Sequence, residues 1–381
     1  MVRVDGTCQD RFNTVQKLLQ SYLDSGEELG VSILVNVDGE NVVDIWGGYA
    51  DAERTQLWEE NTITNVWSTT KTVTSLAALM LISRGLLSPS EKVSTYWPEF
   101  AANGKDGVEV RHILSHSSGV SGWEKEMTIE DIYDISASTA LLAQQPPFWP
   151  PGTASGYHSL TFGHLVGALV SRTAGKSLKQ FVADDIAAVL GTDFQLGAAE
   201  KDWPRVAELV PPPHLDGLPK PSPGSIPAKS LANPAVDARV AGTAAWRQAE
   251  VGSANGHGNA RSIARILSAV SLGGEVDGNR LLSPDTIDLI FQEQIRGADL
   301  AVGANISFGV GYGLSTRGTD IDWLPEGRVC FWGGWGGSMV IMDVDRRVTI
   351  VYVMNKMENV GLGHDRTKAY IRAAYEALGV L

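Results

Sequence analysis

Residues 65–87 read NVWSTTKTVTSLAALMLISRGLL, an apolar run of helical length broken near its start by a single lysine, Lys71. Asn65 to Ser68 has the composition of a helix start, and Gly85 sits where a C′ glycine belongs, so the pattern predicts a helix continuing over Val73 to Arg84. Its apolar residues fall nearly all round the axis, which predicts burial. A lysine in the first turn faces the positive end of the helix macrodipole, a penalty of ~0.3–1 kcal/mol before any desolvation. Both effects favour the neutral amine, which can accept a proton. Ser68 and Lys71 stand three residues apart and share one helical face, so Ser68 is a candidate nucleophile with Lys71 as its activator. The competing reading is a capping serine followed by a lysine that snorkels to water. An S-x-x-K pattern arises roughly once by chance in a chain of this length, so the pair does not decide the matter alone.

The chain around this segment has 381 residues and a formal net charge of −13. It is long enough for a sizeable core, as one large domain or two intimately joined ones. An acidic surface repels polyanions, which argues against nucleic acid or an anionic membrane as partner. The two cysteines, Cys8 and Cys330, are far apart and in no metal-like spacing, so a reducing compartment fits best. The N-terminus has no apolar signal-peptide core, and the longest apolar run, Leu76 to Ile82, is too short to span a bilayer. A cytoplasmic protein without metal or organic cofactor is expected.

RFNTVQKLLQSYL, Arg11 to Leu23, has the spacing of an amphipathic opening helix. GVSILVNVDGENVVDIWGGYAD carries β-branched residues on both sides of Asp38-Gly39 and reads as a hairpin. Near the other end FGVGYGLS, RVCFWGG, GGSMVIMDVD and RRVTIVYVMN read as short strands, with a turn at Asp343 to Arg346 and a terminal helix over Asp365 to Leu378. Strands at both ends predict one sheet assembled from the two termini with a helical insertion between. The expected organisation is therefore a single α/β (α+β) unit over 1–381, with a sheet lobe of about 1–85 plus 290–381 and an inserted lobe of about 86–289. The proline-rich stretches Gln144 to Thr153 and Leu209 to Pro227 are expected loops.

Other patterns carry less. His112 and His116 have i, i+4 spacing, but Ile113 occupies the position where a zinc protease helix needs glutamate. Asn255-Gly256-His257-Gly258 reads as a turn before the helix ARSIARILSAV, and is a candidate to line a cleft opposite Trp332. Gly309-x-Gly311-x-Gly313 lacks a strand-to-helix context, and no G-x-S-x-G elbow occurs. Trp123, Trp149, Trp246, Trp332 and Trp335 fall in loop-like or motif-adjacent segments, where core packing is the default and a cleft for bulky apolar groups the alternative.

Three elements in chain order, Ser68-Thr69-Thr70-Lys71, Tyr157-His158-Ser159 and Trp332-Gly333-Gly334, together resemble the serine β-lactamase and D,D-peptidase superfamily, and most closely its family VIII carboxylesterases. VRHILSHSSGVSG and PPGTASGYHS look familiar in the same way, and the resemblance runs from about residue 10 to about residue 375. It implies the β-lactamase/transpeptidase-like fold, an antiparallel sheet flanked by helices with an inserted helical lobe. It also implies catalysis by Ser68, Lys71 and Tyr157, with Tyr157 sharing the base role and an adjacent ammonium easing its ionisation. The oxyanion would lie between the backbone N–H groups of Ser68 and Trp335, and four glycines in FWGGWGGSMV suit a close backbone approach. Ser159, Trp332, Gly333, Gly334 and Trp335 would contact substrate. Two departures stand out. Ser159 replaces the asparagine usual in the β-lactamases of this branch. Trp332-Gly333-Gly334 lacks the lysine or histidine and the hydroxyl of penicillin-recognising relatives, where the lysine binds the β-lactam carboxylate, and this favours a neutral small-molecule ester. An acyltransferase of the same fold, acting on an alcohol of a natural product, and a β-lactamase or D-aminopeptidase are the alternatives.

Overall fold

A computed structural model describes residues 3–213, 221–359 and 362–381. Its main elements in chain order are strand β1 (Asp5–Cys8), helix α1 (Asn13–Ser25), β2 (Gly30–Val37), β3 (Glu40–Gly48), α2 (Thr70–Ser83), α3 (Thr161–Ala174), α4 (Ala260–Ser271), β4 (Ile295–Ala298), β5 (Asn305–Phe308), β6 (Gly313–Leu314), β7 (Val329–Gly333), β8 (Met339–Asp343), β9 (Val348–Met354) and α5 (Asp365–Ala377), besides short strands that form two small separate sheets. Shorter helices fill the region between α2 and α4. The strands form one nine-stranded antiparallel sheet in the order β1-β3-β2-β9-β8-β7-β6-β5-β4. N-terminal β2 thus pairs with C-terminal β9, as strands at both ends of the chain require.

The β2–β3 hairpin turns on Asp38 and Gly39, with φ of 51° and 90°. Positive φ at both central positions matches the right-handed twist of the flanking strands and explains the Asp-Gly pair. Every residue of β9 is buried because both faces of the sheet are covered. On one face the Thr349 hydroxyl meets Ser271 of α4 at 2.7 Å. On the other the Tyr352 ring packs 5.3 Å from Tyr370 of α5.

The expected terminal helix spans Asp365–Ala377, and the opening helix begins at Asn13 after a 3-10 turn at Asp10–Phe12. Edge strands β1 and β4 carry no alternating apolar signal, which is why their sequences did not suggest strands. Helix α4 corrects the expected lobe boundary: it lies within 86–289 but packs on β2, β8 and β9 of the sheet. Helix α2 packs on both α4 and α3, so its N-terminus sits where sheet and inserted helices meet. The loop expected over Leu209 to Pro227 ends in a short helix from Ile226, and residues 214–220 lie outside the described residues. Among the described residues no helix is long and apolar enough to cross a membrane.

Candidate active site

The 65–87 segment forms a 3-10 turn at Trp67–Thr69 that runs into α2, with Gly85 following at φ 70°. Trp67, immediately before the serine, is held at φ 46°, a left-handed conformation costly for a bulky residue. Its ring is wedged between Trp246 and Trp335, at centroid distances of 5.5 and 5.2 Å. This packing holds the backbone in a sparsely populated region and turns Ser68 out of the apolar run, half-buried and open to a cleft.

Lys71 is only 2% exposed, which excludes the snorkelling alternative. Its Nζ lies 3.0 Å from Ser68 Oγ, 2.7 Å from the Ser159 carbonyl oxygen and 3.0 Å from the Ser253 carbonyl oxygen. A neutral amine has two N–H donors and one lone pair, so it can serve both carbonyls and still accept the Ser68 proton. As an ammonium it donates to all three oxygens. The same contacts therefore suit both protonation states, and only the direction of the Ser68–Lys71 hydrogen bond reverses. Burial strips water from the ammonium and holds the Lys71 pKa well below that of an ordinary lysine.

Tyr157 follows the loop after Trp149 and precedes α3. Its ring stands 4.8 Å from Lys71 Nζ and 5.3 Å from the Trp332 ring, whose Nε1–H donates to the phenol oxygen at 3.4 Å. Burial pushes the phenol up to about 12, against the opposing effect of hydrogen bonds from Ser68 and Trp332. Burial therefore acts on both groups in the direction of the neutral form, Lys71 toward the amine and Tyr157 toward the phenol.

Trp332 and Gly333 end β7, and the chain then turns. Gly337 N–H donates to the Gly334 carbonyl at 3.0 Å, with Gly336 at φ 97°, so Trp335 occupies the second position of a tight turn. An amide at that position takes no part in closing the turn. A Cβ on Gly334 would lie 2.3 Å from the Val66 carbonyl oxygen and 2.5 Å from Ser338 Oγ. Part of the glycine richness thus serves contact with the segment carrying Ser68.

Ser68, Tyr157, Ser159, Trp332, Gly333 and Trp335 line one cleft of about 660 Å3, with Lys71 behind Ser68 and Gly334, the first residue of the turn, outside the lining. Its other walls are mainly apolar, including Leu160, Leu231, Val236, Val302, Ile306 and Ile321. Among the described lining residues no lysine, arginine or histidine is present, and Asp320 is the charged one.

Sequence reasoning missed Trp67, which stands beside the Ser68 motif but outside its pattern, and also Ser253 and the apolar wall around Val302, whose segments carry no motif. The sequence 255–258 is corrected: Gly256–Gly258 is a strand paired with Thr64–Asn65, and His257 is buried away from the cleft lining. Trp123 and Trp246 are core residues, while Trp332 and Trp335 line the cleft. His116 does not share a helical face with His112, since that helix ends at Leu114 and His116 has φ 59°.

The model of the family described as beta-lactamase matches residues 15–375. The chain is 32% identical over 355 residues to the esterase/beta-lactamase LipL of Mycobacterium tuberculosis, covering 86% of this chain and 82% of that protein. It superposes on the crystal structure of a family VIII carboxylesterase with a TM-score of 0.91 at 34% identity, covering 98% and 100% of the two chains. A penicillin-binding protein homologue from Caulobacter crescentus gives 0.90 at 35% identity, covering 98% and 99%. With the antiparallel sheet, flanking helices and Ser68–Lys71 geometry described above, this protein is a serine hydrolase of the β-lactamase/transpeptidase-like fold and belongs to the beta-lactamase family.

Proposed function

We propose that the protein cleaves carboxylic esters through an acyl-enzyme on Ser68. The observation that carries this reading is the Lys71 amine, buried without a counter-charge among the described residues, bound to two carbonyls and in contact with the Ser68 hydroxyl. The neutral amine takes the Ser68 proton as Oγ attacks the ester carbonyl. The tetrahedral oxygen is held by the backbone N–H groups of Ser68 and Trp335. The leaving alkoxide takes the Tyr157 proton, the Lys71 ammonium restores it, and both groups are neutral again in the acyl-enzyme. Water then repeats the cycle on the acyl carbonyl, returning the proton to Ser68 Oγ.

The cleft favours neutral esters with a bulky apolar or aromatic portion, because it offers apolar walls and, among its described lining residues, no cation for a carboxylate. Similarity to an esterase/beta-lactamase and to a family VIII carboxylesterase supports the ester reading. Denaturing mass spectrometry after treatment with an activated ester or a phosphonate is expected to find one adduct, on Ser68. Ser68→Ala should lose both adduct and activity; full esterase activity in that variant would sink the assignment. A panel of aryl esters, β-lactams and D-aminoacyl amides is expected to give the highest kcat/KM with the aryl esters.

A further inference from the structure

Tyr157 lies in a loop without regular secondary structure, yet the amides of residues 156, 157 and 158 each have a partner. Gly156 N–H donates to the His116 carbonyl at 2.9 Å, Tyr157 N–H to Asp299 Oδ1 at 2.9 Å, and His158 N–H to His116 Nδ1 at 3.1 Å. We propose that His116 and Asp299 are positioning residues for Tyr157, clamping three successive amides so that its hydroxyl is aimed at Ser68. The inference rests on the esterase reading given above.

The clamp has defined chemistry. A backbone amide only donates, so His116 Nδ1 must be unprotonated and the imidazole neutral. Burial holds its pKa well below that of an ordinary histidine, with His158 and Lys71 acting in the same direction. His158 is fixed in turn: its Nδ1 meets the Gly156 carbonyl at 2.6 Å, and Nε2 meets Ser118 Oγ at 2.6 Å. His116, at φ 59°, thus binds the residue before Tyr157 through its carbonyl and the residue after it through its ring. Asp299, 2% exposed, also accepts from Ala301 and Val302 N–H at 2.9 and 3.1 Å. It thereby ties the tyrosine to the cleft wall at Val302. The groups facing the Tyr157 ring and amide are Lys71, His116, Asp299 and Trp332. A phenol oxygen stands far from its own backbone, so a small rotation of the loop moves it by about an ångström, and such misplacement costs on the order of 10²-fold in rate.

Two pairs of variants of the full chain, assayed with an activated aryl ester, test this. His116→Asn tolerates positive φ and can present an oxygen near the place of Nδ1; Asp299→Asn keeps an acceptor without the charge. Both are expected to keep kcat within about threefold, while His116→Gly and Asp299→Ala lose about 10- to 100-fold in kcat. On a Tyr157→Phe background those losses should disappear. Losses that persist there, or Asn variants as damaged as Gly and Ala, would overturn the proposal. Hydrogen exchange on the unmodified protein needs no variant to fold: peptides covering 156–158 should be as protected as α3, and loop-like exchange would also overturn it. Wild-type kcat in Tyr157→Phe would overturn the role of Tyr157 and this inference with it, while the mass of the Ser68 adduct judges the esterase reading separately.

Discussion

Among the described residues no carboxylate pairs with Lys71, and desolvation alone sets the direction of its shift. Kinetic and thermodynamic consequences follow from that depressed pKa. The proposed mechanism requires the amine, so kcat/KM should fall on the acid side as Lys71 gains its proton. Tyr157, pushed up to about 12, stays a phenol through the ordinary assay range, so no alkaline limb from this group is expected below about pH 10. A pH–rate profile with an acid limb that disappears with the residual activity of Lys71→Met checks this, and that variant should lose ~10²–10⁴-fold in kcat. For stability, the unfolded lysine titrates near ~10.4 and the folded one well below. Between those values the unfolded chain binds the extra proton, so the contribution of Lys71 to stability grows as pH rises and is lost as pH falls through the folded pKa. The melting temperature of wild type relative to that of Lys71→Met should therefore rise as pH increases toward the unfolded lysine value of ~10.4.

The turn Gly334–Gly337 depends on elements far away in sequence. Glu358 N–H donates to the Gly336 carbonyl at 3.0 Å, and the Thr367 hydroxyl in the first turn of α5 donates to the Gly337 carbonyl at 3.0 Å. His364 caps the same helix through the Thr367 amide at 3.2 Å, and a Cβ on Gly337 would lie 2.1 Å from its ring. The start of α5 thus braces the turn that presents the Trp335 amide. Thr367→Val should lower kcat about tenfold with KM little changed, because loss of an oxyanion donor costs ~3 kcal/mol and misaiming it costs part of that. Thr367→Ser, which keeps the hydroxyl, should restore the rate; equal losses in both variants would show that the brace does not act through its hydrogen bond. Gly334→Ala should fail more severely, since its methyl group meets the Val66 carbonyl and Ser338 together.

At the scale of the molecule, α2 joins the inserted helices to α4 on the sheet, and the cleft opens at its N-terminus. Two large apolar residues of the cleft, Leu231 and Val302, remain 40% and 43% exposed at its rim. They are free to cover the apolar end of an ester that extends out of the cleft. Val302→Asp should raise KM about three- to tenfold for bulky aryl esters while leaving acetate esters near wild type, as lost pocket contacts of this size imply. An equal change for both ester classes would remove Val302 from substrate recognition. The variant should fold normally, because the side chain is already partly in water.

Periodicity and turn chemistry were enough to identify the opening and terminal helices, the Asp38-Gly39 hairpin, the late strands and the burial of the 65–87 helix, since each is a local property. Motif order was enough to bring Ser68, Lys71, Tyr157 and Trp332 into consideration together. Tertiary structure alone decided the rest. The Lys71 amine is held by carbonyls of residues 159 and 253, Tyr157 is clamped by residues 116 and 299, and the Trp335 turn is braced by residues 358 and 367. None of these contacts leaves a periodic trace, because backbone amides and carbonyls are the same at every position. The direction of the Tyr157 shift was hidden for a related reason: it depends on how much water the folded chain removes from both partners, and that quantity exists only after folding.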